Sequence, residues 1–199
     1  MTITFNGING NYEVYMDTLR AICGNTDGKS MADCCSNLAP YTPTLGFSER
    51  VYIDILPRQL DHWEEQKYFV QEDVIHYLDK HEGVFDWGIC SDGIEHFNKL
   101  GGYGLVDAME KKCKSVVFFT PLGEYMVDDS DDPEGHHSGW LPEDLFGYAS
   151  IVFPQYHPTL NIGAFFAWTT TDIKSDFQRV INELKTKEWA KKGLQESRL

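Results

Sequence analysis

Short apolar segments that alternate with helix-like segments constrain the fold of this 199-residue chain more than any other feature. The segment Ser115–Thr120 (SVVFFT) is a continuous apolar run, which predicts a central strand buried on both faces. Strands separated by helices or long connections pair in parallel through crossovers. The pattern therefore predicts an α/β fold with a mostly parallel central sheet and helices on both faces. Four earlier segments are also predicted strands: Lys29–Cys35, Arg50–Leu56, Lys67–Gln71 and Val84–Ser91.

The last part of the chain follows a different pattern. Tyr148–Phe153 and Leu160–Thr169 are apolar and aromatic, and only Pro154–Thr159 separates them. So short a connection favours an antiparallel hairpin at the end of the sheet. The predicted helices, identified by their apolar spacing, are Asn11–Cys23, Asp73–His81, Gly102–Lys112 and Asp172–Lys191.

Composition limits the partners and the location of the protein. Lysine and arginine number 17 against 31 aspartates and glutamates, and a net charge of −14 makes a nucleic-acid partner unlikely. The five cysteines are an odd number without a CxxC pair, which disfavours a disulfide framework or a zinc site. Met1–Asn11 does not read as a secretory signal, and no run approaches the roughly 18 apolar residues that span a bilayer. We expect a cytoplasmic protein with no membrane partner.

Four aspartates recur near the ends of the predicted strands. Asp33, Asp54, Asp73 and Asp92 follow one another at intervals of 21, 19 and 19 residues. Because ligands of open parallel sheets bind beyond the carboxyl ends of the strands, we expect these side chains to line one edge. Carboxylates there suit a cationic, nucleoside-bearing ligand, since they accept hydrogen bonds from ribose hydroxyls and amines and repel phosphate. The alternative is that each aspartate only caps a helix or starts a turn.

Three segments carry a resemblance to a known family. Val84–Phe97 (VFDWGICSDGIEHF) is similar to the fourth-strand signature of class I S-adenosylmethionine-dependent methyltransferases, including its Asp-x-x-Glu-His ending. Ser115–Gly123 resembles the fifth strand and following turn, and His137–Leu145 resembles the segment before the final strands. The resemblance covers roughly Met31–Thr169 and implies a Rossmann-like fold with S-adenosylmethionine as cofactor.

The resemblance also implies roles for individual residues. Asp54 would hold the ribose, Gln71–Asp73 the adenine side, and Asp33 with Asn37 the methionine end, while Asp92 would lie close to both cofactor and acceptor. The complete set of cofactor-binding candidates is Asp33, Cys35, Asn37, Asp54, Gln71, Asp73 and Asp92. We predict one domain, 1–199, with an N-terminal helical extension (1–28), a cofactor-binding half (29–123), an acidic lid loop (124–147), a terminal hairpin (148–170) and a C-terminal helix (171–199).

The first turn departs from the family's pattern. The family has an acidic residue followed by a Gly-x-Gly turn, which lets the backbone approach the cofactor closely. Asp33 matches, but the glycines fall on Cys35, Asn37 and Ala39. Because asparagine can adopt positive φ and alanine is small, the turn can survive in altered form. The absence of GxGxxG argues against a dinucleotide.

Methyl transfer from a sulfonium is an in-line displacement that needs no covalent nucleophile. A base is required when the acceptor is a hydroxyl or a protonated amine. The catalytic candidates are Asp92, His96, His136 and His137. The acidic loop Asp128–Glu134 is interpreted as a lid over the acceptor, and we expect it to be solvated rather than to hold a metal.

The sequence thus predicts a methyltransferase that acts on a small molecule or a protein side chain. Two alternatives stay open. The altered first turn would fit a non-catalytic protein that binds S-adenosylmethionine or a partner and keeps the fold. A metal-dependent hydrolase built on the Asp/His loop is the third hypothesis.

Overall fold

The computed structural model describes residues 1–39, 41–125 and 134–196. Within these residues, eight strands form one sheet in the order β1-β7-β8-β6-β5-β2-β3-β4. The strands are β1 Thr2–Thr4, β2 Ser30–Cys34, β3 Glu49–Asp54, β4 Phe69–Gln71, β5 Phe85–Ser91, β6 Cys113–Pro121, β7 Ala149–Phe153 and β8 Ala164–Thr169. The helices are α1 Tyr12–Cys23, α2 Val74–Lys80, α3 Lys99–Lys112, α4 Ile173–Leu184 and α5 Glu188–Glu196.

The sheet is mostly parallel, as the sequence predicts. The strands from β2 to β6 pair in parallel with one another, and β1 pairs in parallel with β7. The reversed strand is β8, which lies antiparallel to both β6 and β7. The predicted α/β fold class with its terminal hairpin is therefore confirmed.

The two ends of the chain differ from the prediction. The interval 1–28, predicted to be a helical extension, begins with β1, whose Thr2 pairs with Ser150 at the edge of the sheet. Three residues are too short for a periodic pattern, so the sequence carries no signal for this strand. The predicted C-terminal helix is two helices, because the chain leaves α4 at Lys185 and resumes in α5 at Glu188.

The sheet separates two layers of core. On one face, residues of α1, α4 and α5 share a hydrophobic cluster with Val117 and Phe119 of β6, and on the other, residues of α2 and α3 share a cluster with Val116 and Phe118. Alternate residues of β6 thus enter opposite halves of the core, because successive side chains of a strand point to opposite faces. This arrangement explains why the run around Ser115–Thr120 is continuously apolar.

The helices are short and capped by polar side chains. The Asn11 side chain accepts the N–H of Val14 at the start of α1, and Asn98 accepts the N–H of Gly101 at the start of α3. The longest, α3, has 14 residues. Across the described parts of the chain, no helix combines the length and the apolar character that crossing a membrane requires.

Candidate functional site

The carboxyl ends of the parallel strands bring the four predicted aspartates to one edge of the sheet. Asp33 is the penultimate residue of β2, Asp54 ends β3, and Asp92 directly follows β5. Asp73 caps the N-terminus of α2, where its side chain accepts the N–H of His76. This edge is the place where ligands of open α/β sheets bind.

Three cavities open at this edge. The central cavity, of about 200 Å³, is lined by residues that include Asn37, Asp54, Asp73, Asp92 and His96. The inner cavity, of about 110 Å³, is lined by residues that include Asp33, Asn37, Tyr41, Thr42 and Asp92. The aromatic cavity, of about 290 Å³, is lined by residues that include Tyr12, Tyr15, Tyr41, Asp92, Phe119 and Tyr156. Asp92 lines all three, so the cavities meet at this carboxyl group.

Asp54 organises the floor of the central cavity. Its Oδ2 accepts the N–H of Asn37 at 2.9 Å, and its Oδ1 accepts the N–H of Leu56 at 2.9 Å. The residue is only 7% exposed, and the Arg58 guanidinium lies 3.7 Å from Oδ1. Each carboxylate oxygen still has a second lone pair, so Asp54 can accept two further hydrogen bonds from a ligand.

Asp33 is a buried residue of β2 that lines the inner cavity. It is 3% exposed, and the hydroxyl of Thr42 donates a hydrogen bond to its carboxylate. Removal from water, partly offset by this hydrogen bond, raises the pKa of Asp33 to about 7. A carboxyl group of this kind is partly protonated near neutral pH.

Asp92 is held in an unusual backbone conformation. Its φ is 47°, and its N–H donates to the carbonyl of Phe119 at 2.8 Å. The residue is exposed, because the three cavities open onto it. Protein atoms packed around its carboxyl, together with the nearby Glu95, raise the pKa of Asp92, and solvent in the cavities reduces this shift.

The glycine-poor first turn keeps the backbone conformation that glycine favours. Cys35, Asn37 and Ala39 have φ of 61°, 48° and 45°. A residue with a Cβ in this left-handed conformation lowers the free energy of unfolding by roughly 1–2 kcal/mol, and asparagine lowers it by less. The turn is held by hydrogen bonds from the N–H of Ser36 to the carbonyl of Ile53 and from the N–H of Asn37 to Asp54. The departure from the family's pattern therefore changes the residues and leaves the turn intact.

The remaining cofactor candidates differ in position. Cys35 lines the central cavity, whereas Gln71 does not line any of the three cavities. The Gln71 side chain is exposed and donates to the carbonyl of Ile55 at 3.3 Å. Asp73 therefore lines the central cavity and Gln71 does not, although only one residue lies between them in the sequence.

The three histidines that the sequence suggests as catalytic candidates, His96, His136 and His137, lie around Glu95. None of these three lines the aromatic cavity. The rings of His96 and His136 are 5.1 Å apart, and His96 also lines the central cavity. The N–H of His137 donates to the carbonyl of Glu95 at 2.8 Å. The core of the predicted lid, Asp128–Asp132, lies outside the described residues.

Several residues at this edge carry no sequence signal. Arg58 and Glu134 both line the central cavity and form an ion pair at 2.7 Å, although 76 residues separate them. Tyr156, in the aromatic cavity, follows β7 in a connection that the sequence predicts only as a short turn. Tyr12 and Tyr15 lie three residues apart in a predicted helix, and this spacing alone could have indicated a shared aromatic surface.

Comparisons with known proteins identify the fold. No family model and no curated protein matches the chain. Among solved structures, the N-methyltransferase NodS from Bradyrhizobium japonicum is 14% identical, with a TM-score of 0.57 over 78% of this chain and 93% of that one. A SAM-dependent methyltransferase from Archaeoglobus fulgidus is 16% identical, with a TM-score of 0.56 over 80% of this chain and 95% of that one.

A third solved structure contains ligands. The 1,6-didemethyltoxoflavin-N1-methyltransferase from Burkholderia thailandensis, with bound 1,6-didemethyltoxoflavin and S-adenosylhomocysteine, is 14% identical. Its TM-score is 0.54 over 77% of this chain and 76% of that one. These likenesses establish that the chain has the Rossmann-like fold of S-adenosylmethionine-dependent methyltransferases, which the sequence resemblance predicts.

The strained turn leads to a prediction about stability. Ala39→Gly and Ala21→Gly each remove one buried methyl group, but Ala39 has positive φ and Ala21 lies inside α1. Because glycine relieves strain at residue 39 and weakens a helix at residue 21, we expect Ala39→Gly to be the more stable variant by about 1–3 kcal/mol. Urea unfolding of both variants measures the difference. Equal losses would contradict the left-handed conformation of Ala39.

The buried Asp33 leads to a prediction about pH. Its pKa is 3.8 in the unfolded chain and about 7 in the folded protein, so the folded protein binds more protons between these values. The stability that Asp33 contributes is therefore present below the unfolded pKa and is lost as the pH rises through the folded pKa. We expect Asp33→Asn, which can still accept from Thr42, to be more stable than the parent by at least ~1 kcal/mol near ~pH 8, with a smaller difference near ~pH 5.

Urea unfolding at the two pH values tests this expectation. Asp27→Asn, at an exposed turn, is the matched control and should leave the pH dependence unchanged. An Asp33→Asn variant with the same pH dependence as the parent would mean that Asp33 is charged in the folded protein.

Proposed function

We propose that this protein is an S-adenosylmethionine-dependent methyltransferase that acts on a small molecule. The observation that carries the proposal is the convergence of three cavities on Asp92 at the carboxyl edge of the sheet. Methyl transfer needs a cofactor and an acceptor that meet at one point away from water. The fold of the chain and the ligands in the Burkholderia thailandensis structure add support.

The central and inner cavities would hold the cofactor. Asp54 would accept the ribose hydroxyls, and Asp73 would accept the adenine amine beside the apolar side chains of Ile55 and Val74, which also line the central cavity. The methionine end would extend into the inner cavity. There, the carboxyl groups of Asp33 and Asp92 favour its ammonium group and the sulfonium.

The aromatic cavity would hold the acceptor. The rings of Tyr12 and Tyr41 have centroids 5.4 Å apart, and those of Phe119 and Tyr156 are 5.3 Å apart. Aromatic faces favour planar and cationic groups, so the cavity suits a small aromatic molecule or an amine. A nucleic-acid acceptor is disfavoured by the net charge of −14.

Asp92 would contact both the cofactor and the methyl acceptor. In the reaction a lone pair of the acceptor forms a bond to the methyl carbon while the carbon–sulfur bond breaks, and its electron pair stays on sulfur as S-adenosylhomocysteine. The acceptor then loses a proton. The Asp92 carboxylate can take this proton, because it lines the acceptor cavity and its pKa is raised above the ordinary value of an aspartate, toward the operating pH of a general base.

The assignment of Asp54 to the ribose leads to a prediction about cofactor binding. Asp54→Ala is expected to weaken the binding of S-adenosylmethionine and S-adenosylhomocysteine by about 1–3 kcal/mol, because ribose hydroxyls would lose their acceptor. Calorimetric titration measures both affinities. Asp107→Ala, on the exposed side of α3, is the control and should bind like the parent. A parent that binds neither molecule would contradict the proposed function.

The assignment of Asp92 gives the second prediction. We expect Asp92→Asn, which suits positive φ, to retain cofactor binding within several-fold and to lower turnover by at least ~10²-fold. The assay measures S-adenosylhomocysteine formed from S-adenosylmethionine with a panel of small amines, phenols and carboxylic acids. Tight cofactor binding by the parent without transfer to any acceptor would favour the non-catalytic alternative.

A further inference from the structure

Glu95, His96 and His136 form a cluster that the proposed methyl transfer does not use. One ligand atom from each side chain lies within 4.8 Å of the others. Glu95 and His96 belong to the short turn that follows β5, and His136 belongs to the segment that precedes Trp140. Two segments far apart in sequence therefore place a carboxylate and two imidazoles together.

Glu95 presents an unsatisfied oxygen in this cluster. It is 2% exposed, and its Oε2 accepts the hydroxyl of Thr120 at 2.9 Å. Its Oε1 forms no close hydrogen bond with any residue that the structure describes, although the backbone N–H groups of Glu95 and Gly93 lie near the carboxylate. A buried carboxylate oxygen without a close partner is unfavourable. A bound cation would satisfy this oxygen.

His136 has the hydrogen bond that orients metal-binding histidines. Its Nδ1 lies 2.8 Å from the carbonyl of Tyr125. Since a carbonyl only accepts, Nδ1 carries the proton and Nε2 keeps its lone pair. A backbone carbonyl on the second ring nitrogen is the usual companion of a metal-bound imidazole.

Both ring nitrogens of His96 lie close to carbonyl oxygens. Its Nδ1 lies 3.1 Å from the carbonyl of Gly135, and its Nε2 lies 3.1 Å from the carbonyl of Asp92. A neutral imidazole has one N–H, so it can donate to only one of these carbonyls. In the neutral ring the other nitrogen keeps a lone pair, and a ligand atom of His96 lies within 4.8 Å of the ligand atoms of Glu95 and His136.

The backbone holds the two segments of the cluster against each other. The N–H groups of His137 and Ser138 donate to the carbonyl of Glu95 at 2.8 and 3.2 Å. Gly139 passes so close to Glu124 that a Cβ would lie 2.8 Å from its backbone. A binding site that is held in this way changes little when it takes a ligand.

We propose that Glu95, His96 and His136 bind a divalent first-row transition metal ion such as Zn²⁺, Co²⁺ or Mn²⁺. One carboxylate and two imidazoles are a donor set that these ions accept, whereas Mg²⁺ and Ca²⁺ prefer oxygen ligands alone. Two ligands that are each about 2.1 Å from a zinc ion lie at most about 4.2 Å apart, so ligand atoms that already lie within 4.8 Å of one another need to move only slightly to bind one ion.

The ion would lie beside the central cavity, because His96 lines that cavity as well. Its positive charge would offset the charge of Glu95, which raises the pKa of the neighbouring Asp92. Binding of the ion does not depend on the proposed methyl transfer and can be measured without S-adenosylmethionine.

Titration of the chelator-treated protein with Co²⁺ tests the proposal, since bound Co²⁺ gives visible absorption bands that report its ligands. We expect one ion per chain, displaced by Zn²⁺. His136→Ala and Glu95→Gln should each weaken Co²⁺ binding at least ~10-fold. His137→Ala removes a histidine outside the cluster and should bind Co²⁺ like the parent.

Urea unfolding without metal shows whether each variant is folded, and His136→Ala, a partly exposed position, keeps the test usable if Glu95→Gln fails to fold. The proposal is overturned if the folded parent does not bind Co²⁺, or if folded His136→Ala binds it as tightly as the parent. Binding of Mg²⁺ in preference to Co²⁺ and Zn²⁺ would also overturn it.

Discussion

Parallel pairing of the central strands is the constraint on which the site depends. Asp33 in β2 lies in register with Tyr52 of β3 and Ile89 of β5, and Asp54 at the end of β3 lies beside Gln71. Because all these strands run in the same direction, their carboxyl ends reach one edge together. The acidic residues meet there through hydrogen bonds between main chains, and their side chains repel one another. The main-chain hydrogen bonds of the sheet therefore hold several acidic groups close together, although their proximity is unfavourable.

The site lowers the stability of the folded protein in two ways. Carboxyl groups such as Asp33 and Glu95 are withdrawn from water, which raises the pKa of both to about 7. Residues with a Cβ also occupy left-handed backbone conformations in the first turn. Strain and desolvation of this kind concentrate at functional sites, where the rest of the fold compensates for them. Here the compensation comes from the two-layered core around β6.

The sequence predicts the fold and much of this edge, because both depend on local patterns. Apolar runs identify the strands. Once a strand is predicted, the position of an aspartate at its end follows directly. The cluster of Glu95 and His136 was not predicted, since those residues meet only through tertiary contacts, and the sequence led us to expect no metal. Gln71 was assigned to the cofactor by the family resemblance, but its exposed side chain donates to the carbonyl of Ile55 and lines none of the three cavities. The strand β1 was missed because three residues carry no periodicity.

The turn through Cys35, Asn37 and Ala39 has a wider consequence. Its main chain follows a left-handed path without a single glycine, so the path is a property of the surrounding hydrogen bonds and not of one residue type. Chains that drift away from a glycine-rich signature can keep the same loop as long as their frame tolerates the strain. Signatures written in residue letters will therefore pass over some members of this architecture, whereas backbone torsion angles will retain them.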